Sequence, residues 1–155
     1  MARLASLFAL ACALFFWCVG AAPLGQAFDK RQIGNLQCNV ARLQVVGGLS
    51  KSTKAIQSAI KAAGSDSATV SQLQTAASGI TSAQSGVKTI AEALLTLQQA
   101  PAAARQQVED GLNSATSALG SVSSSDSAVT SAVASAQSAV AATSTAGQKV
   151  VSECK

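Results

Sequence analysis

Residues 126–154 read DSAVTSAVASAQSAVAATSTAGQKVVSEC. Within them Val129, Val133, Ala136, Val140, Thr143, Gly147, Val150 and Cys154 fall alternately four and three residues apart. That spacing places all of them on one side of a helix. Sustained over the whole stretch, it is the seven-residue repeat of helices packed at a shallow angle. Alternation at every second residue, the mark of a half-buried strand, is absent. Asp126 is placed to cap the start of the helix. Ser, Gly and Thr are middling or poor helix formers, so this helix must draw its order from packing on neighbours. Without such neighbours, a stretch of this composition is an unstructured Ser/Ala tail.

Three further helical segments precede it. The first runs from about Asn35 to Ala63, with apolar positions Leu36, Val40, Leu43, Val46, Leu49, Ile56 and Ile60 three or four apart and Thr53 filling one step. Gly47-Gly48 interrupts it and predicts a kink or a split, and Gly64 supplies a stop. The second starts at Ser65-Asp66, carries Val70, Leu73, Ala77, Ile80, Val87, Ile90, Leu94 and Leu97, and ends before Ala100-Pro101, because the residue before a proline avoids the helical region. Pro101 suits the first turn of the third helix, whose apolar positions are Val108, Leu112, Ala115, Leu119 and Val122. Short connections favour antiparallel neighbours. The expected fold is therefore all-α, an antiparallel up-down-up-down four-helix bundle. In that topology the start of the first helix lies beside the end of the fourth.

The segment ahead of these helices reads as a leader. Arg3 supplies a positive charge, Leu4 to Val19 is almost unbroken apolar sequence, and Val19 and Ala21 stand in the −3/−1 arrangement of a signal-peptidase site. A membrane-spanning helix needs about 20 apolar residues, and this run is shorter. Pro23 to Arg31 reads PLGQAFDKR and closes on the dibasic pair Lys30-Arg31, a site for a processing protease of the secretory pathway. The expected division is a signal peptide over 1–21, a pro-segment over 22–31, and a helical-bundle domain over 32–155 that begins at Gln32. The expected location is extracellular or in the cell wall, and the style of the leader suggests a fungal source. No second long apolar run follows, so no membrane-spanning segment is expected in the mature chain.

Composition narrows the function. All of Phe8, Phe15, Phe16, Phe28 and Trp17 lie before Gln32, and the chain has no Tyr or His. The expected mature domain thus has no aromatic side chain. Of the chain's 11 basic and 7 acidic residues, Arg3, Lys30, Arg31 and Asp29 also lie before Gln32, leaving 8 basic against 6 acidic. Such a near-balanced surface without stacking platforms does not suit nucleic acid. Cys12 and Cys18 leave with the leader, and Cys38 and Cys154 remain. Two thiols in an oxidising compartment pair with each other, and the bundle topology independently brings these two together. Two Cys without His do not fill a tetrahedral zinc site, so neither a metal nor a cofactor is expected.

No catalytic constellation appears. Without His there is no Ser-His-Asp or Cys-His arrangement. Asp66 and Asp126 are accounted for as helix caps. Glu109 and Asp110 are adjacent, so they point to different faces of a helix and do not converge as an acid/base pair. Lys51, Lys54 and Lys61 form at most a solvated basic strip. The chain reads as a non-enzyme. Val, Leu and Ile together barely outnumber Ala in the mature domain. Alanine buries little area compared with the roughly 1.5–3 kcal/mol contributed by a buried Val or Leu, so the core is thin. Thinly held helices can present their apolar stripes to a hydrophobic surface, an acyl chain or a partner helix. The stripe Leu73, Ile80, Val87, Ile90, Leu94 and Leu97 is the candidate for that role.

The leader ending at Lys30-Arg31, followed by Ala/Ser/Thr-rich amphipathic stretches such as LSKSTKAIQSAIKAAG and VKTIAEALLTLQQAP, resembles the fungal hydrophobic-surface-binding protein A and cell-wall galactomannoprotein family. The resemblance implies a helical domain that adsorbs to hydrophobic surfaces or lipids and recruits secreted hydrolases. A reading from a different class is a secreted protein-binding module, an effector or an enzyme inhibitor, whose partner is a host protein.

Overall fold

The structure, a computed structural model, describes residues 36–154. The signal-peptide and processing positions Ala21, Lys30 and Arg31 lie outside the described residues. Four α-helices and no strand occupy the described residues: α1 (Leu36–Ala63), α2 (Ser67–Leu95), α3 (Ala102–Gly120) and α4 (Ser127–Glu153). None of them is long and apolar enough to cross a membrane.

The helix ends follow local chemistry. Gly64, at φ +56°, ends α1 in the left-handed region where a side chain is disfavoured. Two residues on, Asp66 caps α2: its Oδ1 accepts from the Thr69 amide at 3.2 Å and its Oδ2 from the Thr69 hydroxyl at 2.7 Å. Asp126 caps α4 by accepting from the Ala128 amide at 2.7 Å. The hydrogen bonds from the Thr69 hydroxyl and amide hold the Asp66 carboxyl below its ordinary value of 3.8. A carboxyl lowered on folding stabilises the fold above its unfolded value, and that contribution disappears as pH falls through the folded value. Melting temperature is accordingly expected to drop as a titration passes below about pH 4. In Asp66→Asn this part of the acid dependence should be missing, which a series of melting curves between pH 6 and pH 2 checks.

The chain runs up, down, up and down. The close pairs are antiparallel, as named contacts fix: Cys38 with Cys154 at 5.0 Å between Cα atoms and Ser52 with Thr143 for α1 and α4, Gly79 with Gly111 and Gly86 with Ala104 for α2 and α3. Thr53 meets Gln84 and Gln137 meets the carbonyl of Leu119 across the other two neighbours. The helices do not pack evenly. α2 lies along α3, and α1 along α4, far more extensively than α1 meets α2 or α3 meets α4. The bundle is two close pairs laid against each other. Between them lies one continuous core containing Leu49, Ile56, Leu73, Ile80, Leu112, Leu119, Val129, Val133 and Val140.

Small residues make the pairs close. A Cβ on Gly79 would stand 2.6 Å from the carbonyl oxygen of Gly111, and a Cβ on Gly111 would stand 2.5 Å from that of Gly79. Seven residues further along α2, a Cβ on Gly86 would meet the Ala104 carbonyl at 2.7 Å. Ala76, Ala83, Ala115 and Ala118 are buried on the same helices. In the other pair, Gly48 makes room for Thr143, whose Cβ would lie 3.1 Å from an added methyl. Gly47-Gly48 does not split α1, which runs unbroken. The glycine there admits a neighbouring helix instead of breaking its own. The buried hydroxyls of Ser52 and Thr143 hydrogen-bond across this pair at 3.4 Å, so neither polar group is stranded.

The disulfide forms between Cys38 and Cys154, as the topology requires. On α4 the repeat seen in the sequence is the buried face as far as Thr143: Val129, Val133, Ala136, Val140 and Thr143 are all buried, whereas beyond it Ala146 is buried and Gly147, Val150 and Cys154 are half-buried. On α1 it is not. The buried face is Cys38, Ala41, Val45, Leu49, Ser52, Ile56, Ala59 and Ala63, whereas Leu36, Val40, Leu43 and Val46 are exposed. Apart from Val45, the larger side chains of the first three turns lie off the packed face, where Cys38 and Ala41 sit instead.

Candidate functional site

The proposed apolar stripe of α2 changes environment along its length. Leu73 and Ile80 are fully buried in the core. Val87 is half-buried against the same core, and Ile90 and Leu94 are half-buried. Leu97 is 69% exposed. These side chains are therefore not one binding face: the first two belong to the fold. Toward its C-terminal end, the stripe emerges at the surface.

It emerges where other apolar side chains do. The exposed large hydrophobics of the described residues are Leu36, Val40, Leu43, Val46, Leu95, Leu97 and Val151. They come from the first three turns of α1, the end of α2 and the end of α4. In an antiparallel bundle these segments share one end, the end that carries the disulfide. The Thr53–Gln84 hydrogen bond at 3.2 Å marks the face where α1 and α2 meet. Val46 lies seven residues before Thr53 and Leu95 eleven after Gln84, so helical periodicity brings both onto that face. At this end, the buried positions are held by Cys38, Ala41, Val45, Ala93, Ala104 and Ala146. Apart from Val45 the interior is made of small side chains, and most of the large ones lie outside. Seven large aliphatics gathered at one end of a small domain form more apolar surface than isolated exposed leucines require, and patches of that kind mark interaction sites.

Leu97 adds a conformational argument. α2 stops at Leu95, short of the proline that sequence reasoning used as its end. Thr96 closes the helix, the Gln98 amide reaches back to the Ala93 carbonyl at 2.9 Å, and Leu97 takes a left-handed φ of +57°. Glycine is the residue suited to that position in a helix stop. A leucine there costs about 1–2 kcal/mol, and since its side chain is exposed, burial does not offset the cost. Strain held at a surface residue points to a role outside folding.

The charges around this end carry a modest positive excess. Arg42, Lys51, Lys54, Lys88, Arg105 and Lys149 lie on its four helices, together with Glu92, Glu109, Asp110 and Glu153. Lys88 and Glu92 pair at 3.9 Å in the open. An excess of this size is a weak field that salt screens, so the affinity of the patch rests on its aliphatic side chains.

Two depressions in the surface, of about 350 and 320 Å³, lie on the α1/α4 and α3/α4 faces, the first of them bordering this end. The first is floored by Gly47, Gly48, Ala139, Ala142 and Ala146, with Lys51 and Lys149 at its rim. The first follows from the shortage of large side chains along those helices. The second is lined by Asn113, Thr116, Gln137, Val140, Ala141 and Ser144, of which Thr116, Gln137 and Ser144 already donate to the carbonyls of Leu112, Leu119 and Val140. Among the described residues, no three His, Cys, Asp or Glu side chains gather as a metal site.

Sequence reasoning found Leu97 and missed Leu36, Val40, Leu43, Val46, Leu95 and Val151 as surface residues. The available signal was the row of small residues on α1 at Cys38, Ala41 and Gly48, which competes with the aliphatic row for the packed face. No family model, no curated protein and no solved structure matches this chain.

Proposed function

We propose that this chain is a secreted, non-catalytic protein that binds hydrophobic surfaces or lipids, free or associated with the cell wall, through the disulfide end of its bundle. The carrying observation is the disulfide end, where seven large aliphatics face outward over an interior that is small-residue apart from Val45. Moving Leu36, Val40, Leu43, Val46, Leu95, Leu97 and Val151 out of water contributes on the order of 10 kcal/mol before ordering costs. That is ample for adsorption without a shaped pocket. The exposed side chains of the patch are aliphatic and uncharged, which suits an uncharged apolar phase, such as a wax, an oil or a neutral lipid layer. The leader pattern supports export. The resemblance to the hydrophobic-surface-binding protein A family supports both the adsorption and the recruitment of a secreted hydrolase to the coated surface.

The test is depletion from solution by alkyl-coated beads, followed by helicity in the supernatant and on the beads. The wild-type protein should be depleted with its helicity retained, and little affected by salt up to 1 M. Leu43→Ser with Leu95→Ser should reduce the bound fraction at least tenfold, with the melting temperature within a few degrees of wild type, since both residues are exposed. Leu97→Gly should separate the two properties. It relieves the left-handed strain and raises stability by about 1 kcal/mol, while removing an anchor and weakening adsorption. Equal depletion of wild type and the double variant would remove the patch from the account. Saturable binding to one protein with no affinity for beads would favour the effector or inhibitor reading.

A further inference from the structure

We infer that the bundle opens at an apolar interface as two intact helix pairs, α1/α4 and α2/α3, hinged at the end opposite the disulfide. The inference deepens the adsorption reading and rests on it. Four features carry it.

The first is where the chain is closed. At the apolar end each pair is tied within itself: α1 to α4 by Cys38–Cys154, and α2 to α3 by the connection over 96–101. Both connections that cross between pairs, 64–66 and 121–126, lie at the other end. The apolar end thus has no covalent link between the pairs, and the disulfide does not oppose their separation.

The second is how each seam is built. Within pairs, backbone meets backbone at Gly79 and Gly111 and at Gly86 and Ala104, and Ser52 bonds Thr143 in the interior. Parting either pair breaks close packing, and parting α1 from α4 also takes from the buried Ser52 hydroxyl its Thr143 partner, while Thr143 keeps its bond to the Ala139 carbonyl at 2.8 Å. Between pairs, the side-chain hydrogen bonds are Gln84 to Thr53 at 3.2 Å, exposed, and Gln137 to the Leu119 carbonyl at 3.1 Å, half-buried. Water replaces these at little cost.

The third is the chemistry that opening reveals. The inter-pair core holds Ile56, Leu73, Ile80, Leu112, Leu119 and Val140. In water their exposure opposes opening, and in contact with an apolar phase that opposition disappears. The fourth is continuity. Along α2 burial falls from Leu73 through Val87 and Leu94 to the exposed Leu97, so an interface that seats the exposed end already touches the edge of the seam. The occupant of the opened seam is the same uncharged apolar phase, because the seam is lined by aliphatic side chains and Ala with no charged group among them.

The experiment measures distances between spin labels carried on unnatural amino acids, which leave the native disulfide in place. One labelled pair spans the seam, at Gln44 and Ala91. The other lies within a helix pair, at Gln44 and Gln148. All three positions are exposed. On adding a hydrocarbon emulsion or neutral-lipid droplets, the 44–91 distance should grow by roughly 20 Å or more, as helices about 40 Å long swing apart, and the 44–148 distance should hold. A short bifunctional linker across Ser50 and Lys88, both exposed and one turn from Thr53 and Gln84 on the α1/α2 face, should leave the protein able to adsorb but reduce its area per molecule in a monolayer to about half. Adsorbed protein with both distances unchanged would overturn opening and leave adsorption standing. Growth of both distances would overturn the retention of pairs. Absence of adsorption would overturn both proposals.

Discussion

Gly111→Ala should destabilise the protein by about 2–3 kcal/mol, the reverse of what helix propensity alone dictates. Alanine is the better helix former by roughly 1 kcal/mol in an exposed helix interior, and Gly47→Ala on α1, where an added methyl meets nothing within 4 Å, should gain about that amount. At Gly111 the methyl would stand 2.5 Å from the Gly79 carbonyl oxygen and 2.8 Å from the Ala83 amide nitrogen. Both are backbone atoms, which cannot swing aside as a side chain does. The helices must move apart, losing contact along the whole seam, and overpacking of this kind typically costs 1–3 kcal/mol, occasionally more. For a domain of this size the expected fall in melting temperature is about 10 °C. Chemical denaturation of Gly111→Ala beside Gly47→Ala reads both signs at once. If both substitutions stabilised, α2 and α3 would not approach as closely as described, and the distinction between close and loose seams would go with them.

The other large effect belongs to the disulfide. Cys38→Ala with Cys154→Ala should lower stability by about 5 kcal/mol in the chain-entropy account, because the bridge closes a loop spanning 116 residues. That loss is comparable to the whole stability of many small domains, which starts near 5 kcal/mol. The melting temperature should fall by about 15–20 °C, provided the variant still folds at 25 °C. Alanine is the appropriate replacement at 38, since Cys38 is fully buried and serine would leave a hydroxyl there. Comparison of oxidised and reduced wild-type protein in urea gives the same quantity without mutation. A change below about 1 kcal/mol would mean that the end of α4 holds to α1 without the bridge. The bridge also bears on adsorption. With it, α1 and α4 reach an interface as one unit. Without it, the α4 end, whose buried face carries Val and Ala but no Leu, Ile or Phe, is the segment expected to peel away first.

Much of the fold was legible in the residues. Four helices, their approximate limits, Asp66 and Asp126 as caps, Gly64 as a stop and the Cys38–Cys154 pair all follow from local chemistry and from the end-to-end geometry of an antiparallel bundle. The packed face of α4 was legible because on that helix the valines and the small residues follow the same repeat. On α1 and α2 they diverge. Sequence reasoning placed Leu36, Val40, Leu43 and Val46 on the packed face of α1 and read Leu73 to Leu97 as one stripe. In the fold the first group faces out and the second runs from core to surface.

What the amino-acid order determined by itself was where helices begin, where they end and which two cysteines meet, since those outcomes depend on a few neighbouring groups or on chain direction. Only the tertiary structure decided which helices lie closest and which leucines remain outside. Hydropathy ranks a residue by the apolar area it can bury, whereas the approach of two backbones depends on the absence of side chains. Gly79, Gly86 and Gly111 carry almost no hydropathy signal, yet they determine how the helices pair, and with that, which end of the molecule keeps its aliphatic side chains in water.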